Sequence, residues 1–208
     1  VNYPVSFEAD YVERRSRLTA CFRLILVIPV AIWLYVYAIV AAIVIVIAWF
    51  AIVLSGRYPQ GLYDFVASYT RFVTRVTAYA ALLCDPYPPF GGGPDDDYPV
   101  RMQFAGPLEH YSRLKTLFRI ILAIPLVILR YVIGLLLEVG AVAAWFVIIV
   151  TGKMPRGLYD VMVLANSYTA RSDTYLYLLT ETYPPFQDEQ TRAAGTPDPP
   201  MPPAPAVP

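Results

Sequence analysis

Two charged side chains, Arg130 and Glu138, stand inside an otherwise apolar run at residues 120–150. An ionisable group held in hydrocarbon costs roughly 2.5–3.5 kcal/mol on insertion scales, so each marks a candidate functional site and needs a partner. They are eight residues apart, about 12 Å along a helix. That is too far for a side-by-side pair, so each must look elsewhere. The favoured use is structural: pairing with groups on the first half of the chain, such as Arg71, Arg75 or tyrosine hydroxyls, or with another subunit. A proton or ion pathway and a lipid-headgroup site are the sharper alternatives.

Other reactive residue types offer less. His110 is the one histidine, and no Cys, His or carboxylate stands at metal-ligand spacing from it. Cys21 and Cys84 face Leu117 and Thr180 in the second half, so two inert thiols fit better than a disulfide framework. Asp95, Asp96 and Asp97 read as a solvated acidic loop. No P-loop, nucleophile triad, metal cluster or Gly-rich phosphate cradle is present, so no catalytic, cofactor-binding or metal residue is assigned and no enzyme is expected. Sixteen basic residues balance sixteen acidic ones, which leaves no footprint for nucleic acid.

The elements that position these residues are apolar. Hydrophobic residues make up 57% and charged residues 15%, too apolar for an ordinary soluble domain. Two runs carry most of this, residues 24–54 and 120–150, and each exceeds the roughly 20 residues that span hydrocarbon. The first is too long for a signal-peptide core and lacks a cleavage site. Pro29 and Pro125 predict a helix kink in each run. Trp49 and Trp145 near the far ends suit an interface, and Gly56 and Gly152 are placed to cap the helices.

Each run is followed by an amphipathic segment. In residues 62–83 the apolar positions recur at helical spacing, and Asp64, Ser68, Arg71 and Arg75 share the opposite face. The second half retains Asp160 and Arg171. Such a helix either lies in the interface plane or crosses back with its polar stripe against protein. Before each run, Tyr3–Phe7 and Tyr98–Phe104 alternate in period two and predict short strands. The Tyr-Pro-Pro-Phe segments at 87–90 and 183–186 are expected to end the helices.

All of this occurs twice, at an offset of 96 without a gap from Ser16 onward: Ser16-Arg17-Leu18 with Ser112-Arg113-Leu114, Ile28-Pro29 with Ile124-Pro125, Ala48-Trp49-Phe50 with Ala144-Trp145-Phe146, and Gly61-Leu62-Tyr63-Asp64 with Gly157-Leu158-Tyr159-Asp160. The divisions are repeat 1 at 1–90, an acidic Gly-rich linker at 91–97, repeat 2 at 98–186 and a Pro-rich tail at 187–208 expected to be disordered. The fold class is therefore all-α integral membrane. It consists of two tandem helical repeats, each with a short strand, a Pro-kinked hydrophobic membrane helix and an amphipathic helix. Arg and Lys number four before the first run, seven between the runs and four after the second, so the positive-inside rule does not decide sidedness. The matched motifs favour an even number of crossings per repeat, with the amino terminus, linker and tail all facing the cytoplasm.

The combined pattern of Arg23, Ile28-Pro29, Ala48-Trp49-Phe50, Gly56-Arg57-Tyr58-Pro59, Gly61-Leu62-Tyr63-Asp64-Phe65, Arg75, Tyr79 and Tyr87-Pro88-Pro89-Phe90 resembles a bacterial membrane family known only as domain of unknown function 4389. The resemblance covers both copies and implies a bacterial, actinobacterial plasma membrane, multi-pass, and no reaction. The second copy departs from the pattern at Lys153-Met154, Ser167, Arg130 and Glu138. The expected function is a non-catalytic accessory or scaffold subunit of a larger envelope complex, with the lipid bilayer and other membrane subunits as partners. A multi-component lipid importer of mycobacterial type is one host to test. The alternative is a small oligomeric transporter or channel.

Overall fold

A computed structural model describes residues 3–94, 97–185 and 193–194. Its elements are β1 (Val5–Asp10), α1 (Arg17–Cys21), α2 (Arg23–Ser55), α3 (Gln60–Ala80), β2 (Val100–Phe104), α4 (Arg113–Leu117), α5 (Arg119–Thr151), α6 (Arg156–Leu176) and β3 (Ala193–Ala194). The expected order of strand, long helix and amphipathic helix is present in both copies.

Each long helix is preceded by one turn of its own. Ser16 and Ser112 cap α1 and α4 by accepting the backbone N–H of Thr19 and Lys115. Phe22 and Phe118 then leave helical geometry, with ψ of 6° and 10°, before α2 and α5 begin. The break in the chain therefore falls at these phenylalanines. α2 and α5 run as continuous helices of 33 residues through Pro29 and Pro125. Both stop at a glycine in the left-handed region, Gly56 at φ 72° and Gly152 at φ 71°, whose N–H returns to Ile52 O or Ile148 O at 2.7 Å.

The chain then turns back. α3 lies antiparallel along α2: Tyr37 packs on Phe65, Tyr69 and Phe72, Val30 meets Phe72 and Val76, and Arg23 at the start of α2 covers Tyr79 near the end of α3. The Tyr-Pro-Pro-Phe segments do not end the amphipathic helices, contrary to expectation. Leu82 at φ 61° and Leu178 at φ 67° do. They close a Schellman turn in which the N–H of Leu83 donates to Ala78 O and that of Leu179 to Thr174 O, both at 2.9 Å. A leucine there strains the backbone and gives no glycine signal in the sequence. Tyr87 instead docks on Tyr79, and Phe90 on Trp33.

The copies interlock about a pseudo-twofold. β1 and β2 pair antiparallel with Val5 opposite Phe104, Phe7 opposite Met102 and Ala9 opposite Val100, a register that is its own exchange. The N–H of Arg15 donates to Gly152 O at 3.0 Å, and that of Tyr111 to Gly56 O at 2.9 Å. Trp145 Nε1 donates to Ala20 O at 3.1 Å, and Trp49 Nε1 to Thr116 O at 2.9 Å. The start of each copy thus closes the long helix of the other, so the repeats are not separately packed units. The inner face of the sheet, with Val5, Phe7, Ala9, Val100 and Met102 buried, rests on α3 and α6. Those helices pack on each other and, on their far sides, on α2 and α5.

Most of the tail at 187–208 lies outside the described residues, as do Asp95, Asp96 and Phe186. Ala193 and Ala194, the tail residues that the structure describes, pair in parallel with Ala9 and Asp10.

A Cβ at Gly152 would sit 3.0 Å from Arg17 Nε, and one at Gly56 3.4 Å from Arg113 Nε. Replacing either glycine by alanine forces an L side chain into the left-handed region at roughly 1–2 kcal/mol. Gly152→Ala is expected to lower the denaturant midpoint in mild detergent more than Gly56→Ala does.

Candidate functional site

The polar groups inside the molecule fall into three sets. The first joins α5 to α6. Arg130 forms a bidentate pair with Asp173, Nε to Oδ1 at 2.7 Å and Nη2 to Oδ2 at 3.1 Å. The Asp173 side chain is 3% exposed. Burial pushes its carboxyl above the ordinary carboxylate range, and the Arg130 charge and hydrogen bonds oppose that rise. The partner of Arg130 therefore lies in its own copy and not in the first, which corrects the expected pairing across copies. The sequence did hold a signal. Arg130 stands where the first copy has Leu34, and Asp173 where it has Thr77. Two opposite charges that enter one copy together are a complementary change.

Glu138, the other charge of the apolar run, is exposed on α5 and has no hydrogen bond or ion pair among the described residues. Of the charged side chains on α2 and α5, it is the one without a partner among the described residues.

The second set repeats in both copies. The Arg23 guanidinium lies 4.0 Å over the Tyr79 ring and bonds Asp85 at 3.0 Å. Arg119 lies 4.0 Å over Tyr175 and donates to Thr180 O at 3.1 Å. Arg15 donates to Leu83 O at 2.6 Å. These cations are buried, and Arg23 is only 2% exposed. Arg23 and Arg119 sit at the start of a long helix, Arg15 ahead of α1, and each holds the end of the amphipathic helix beside it. Asp85 and its counterpart Glu181, which accepts the N–H of Ser112, stand outside every motif singled out from the sequence. Their carboxylates match at the same offset of 96, a signal that could have found them.

The third set is the polar stripe of the amphipathic helices, of which part lies against protein. Asp64 and Asp160 do face outward, held by Gln60 and Arg156 one turn earlier. The arginines do not. Arg71 is half-buried, donating to Met102 O and Gly92 O with its guanidinium 4.8 Å over Phe104. Arg75 is buried, donating to Gly93 O above the Tyr98 ring. Arg171 is 1% exposed and turns back on Ser167. The reason is the sheet and linker, which cover the side of α3 and α6 away from α2 and α5. Helical periodicity shows that a face is polar but not what lies against it.

Two apolar grooves related by the pseudo-twofold open where the copies meet. One, of about 360 Å³, is lined by Trp49, Phe50 and Ile45 of α2 with Arg119 and Ile120 of α5. The other, of about 280 Å³, is lined by the equivalent Trp145, Phe146 and Ala141 with Arg23 and Leu24. Neither brings together a nucleophile and a base. No group of three His, Cys, Asp or Glu residues able to hold a metal ion occurs among the described residues. Cys21 is exposed and Cys84 buried, both as free thiols.

The chain matches the family described as "Domain of unknown function (DUF4389)" twice, at residues 17–91 and 113–187. Searches of curated proteins and of solved structures each return no match.

Removing Arg130 leaves the buried Asp173 carboxylate without its counter-charge, so Arg130→Ala is expected to cost about 3–5 kcal/mol. The double change Arg130→Leu with Asp173→Thr installs the first copy's residues and is expected to be far milder. Denaturant unfolding in detergent gives the comparison, and a double variant as damaged as the single one contradicts the pairing. Burial also pushes the Cys84 thiol up. A thiol reagent at neutral pH is thus expected to titrate one cysteine in the native protein and two after denaturation.

Proposed function

The chain belongs to the DUF4389 family in two tandem copies, and from that premise we propose a non-catalytic accessory or scaffold subunit of a membrane complex, embedded in lipid through α2 and α5. The observation that carries this is the surface of those helices. Both are long and apolar enough to cross a membrane, with mean hydropathy of 3.0 and 2.6 over their most apolar windows. A soluble core helix would be mostly buried, yet only 17% and 22% of those windows are. Leu24, Leu54, Ile120 and Val150 are each more than 70% exposed. Such a continuous apolar face is unstable in water and at home in hydrocarbon. A signal sequence explains neither helix, since the second copy repeats the first in mid-chain.

The scaffold reading draws on how the polar groups are spent. The buried arginines bond carbonyls, carboxylates and rings of their own fold. On the apolar faces of α2 and α5, what remains for an outside partner is Glu138, and a basic group on a neighbouring membrane subunit answers it. We place the complex in a bacterial plasma membrane, with a multi-component lipid transporter as one candidate host. The same solitary carboxylate also supports the second reading, a small oligomeric transporter or channel in which Glu138 carries a proton or binds a cation.

Alkaline carbonate washing is expected to leave the protein in the membrane fraction. Purification in mild detergent is expected to bring down a partner, and Glu138→Ala to reduce its recovery several-fold with the fold intact. Arg130→Ala acts on stability instead, because Asp173 already satisfies it. Unchanged co-purification together with altered proton or cation flux in vesicles would favour the transporter.

A further inference from the structure

The depth of α2 and α5 follows from symmetry. In an antiparallel pair, a twofold along the sheet normal exchanges the strands while keeping each side chain on its own face. The pseudo-twofold therefore passes beside Phe7 and Met102 and runs on through the layers beneath. It preserves height along itself, so the end of α2 and the end of α5 share one height. The start of α2 also touches the end of α5, through Arg15 N to Gly152 O, Trp145 Nε1 to Ala20 O and the groove shared by Arg23, Leu24 and Ala141. The start of α5 touches the end of α2 in the same way. Both ends of each helix thus lie at nearly one height. A helix of 33 residues is about 50 Å long, so it runs across the axis and not along it.

Two placements in a membrane remain. If α2 and α5 cross the bilayer, the axis lies in the membrane plane. The sheet then sits at mid-depth with Glu8, Asp10, Arg101 and Gln103 of its outer side in hydrocarbon, where charges are strongly disfavoured. A 50 Å apolar helix would also tilt by about 50° to fit a 30 Å core, beyond the range of about 0–40° that such helices adopt. If the axis stands along the membrane normal, these conflicts vanish. The sheet faces water and the exposed faces of α2 and α5 face lipid. Arg14, Arg17, Arg57, Arg113 and Lys115, all exposed at the helix ends, stand at headgroup depth with Lys153, which pairs with Glu13 at 2.8 Å. These six cations outnumber the exposed acids Glu13 and Glu109 beside them and form a basic rim complementary to anionic phospholipid.

We propose that the protein is monotopic: α2 and α5 lie in the plane of one leaflet, beneath a water-facing sheet, with a basic rim on anionic headgroups. This rests on the membrane reading given above. It makes both flanks of each apolar helix, the linker and the sheet share one compartment without any crossing.

Single cysteines at Glu13, Arg57, Glu109 and Lys153, all exposed, in a full-length Cys21→Ser, Cys84→Ala background, test it with a membrane-impermeant maleimide before and after permeabilising cells. All four are expected to label from the same side. Crossing helices would put Glu13 and Lys153 on one side and Arg57 and Glu109 on the other, which overturns the proposal and leaves the membrane reading intact. Spin labels at Leu24, Ile39 and Leu54 in vesicles are expected to report one depth, whereas a maximum at Ile39 overturns it. Incorporation into phosphatidylcholine vesicles is expected to rise several-fold when phosphatidylglycerol is added, and equal incorporation removes the rim from the proposal. Recovery of the chain in the soluble fraction after lysis would overturn the membrane reading and the proposal with it.

Discussion

Two backbone hydrogen bonds set the shape of this molecule: Arg15 N–H to Gly152 O, and Tyr111 N–H to Gly56 O. Each ties the segment that enters one long helix to the glycine that ends the other. A left-handed glycine exposes its carbonyl after the helix has stopped, so it can accept a donor from elsewhere. With both bonds made, the long helices cannot separate, slide or change height independently. The tryptophan bonds from α2 to α4 and from α5 to α1 brace the same junctions.

This exchange explains how a small sheet can organise so much apolar helix. A hairpin of α2 and α3 alone would bury one stripe of α2 and leave the polar side of α3 bare. The duplication supplies the cover. β1 and β2 come from different copies, pair at the axis and lie over α3 and α6, where Arg71 donates to a strand carbonyl and Arg75 and Arg71 fix the linker. The buried cations Arg23 and Arg119 serve the opposite rim. A guanidinium placed over a tyrosine ring still has N–H donors for a carboxylate or carbonyl, so one side chain joins three pieces of chain in little space.

The second copy shows how much the arrangement tolerates. Where the first has Leu34 and Thr77, it carries Arg130 and Asp173 as a bidentate ion pair. A buried pair of good geometry can replace an apolar contact at little net gain or loss, because desolvation offsets attraction. Glu138 is different in kind. It occupies the place of Ala42 and has no hydrogen bond or ion pair among the described residues, which sets it apart from Arg130.

The sequence alone determined the repeat, the two apolar helices, their glycine caps, the short strands and the amphipathic helices, because each is a local pattern of period, length or backbone permissiveness. Pro29 and Pro125 lie inside helices that run on through them. A separate break at Phe22 and Phe118 is set by a one-turn helix that packs on the other copy, which no local pattern reports. Leu82 and Leu178 end α3 and α6 in a conformation that leucine rarely adopts, held by tertiary packing. The faces of α3 and α6 were legible as polar, but whether Arg75 and Arg171 met water or protein depended on the sheet formed by residues from both copies. The partner of Arg130 could have been read from the paired differences between copies, whereas the burial of Asp173 could not. Only the tertiary structure decided that the ends of each apolar helix share one height, since that follows from contacts between copies and has no trace in either copy by itself.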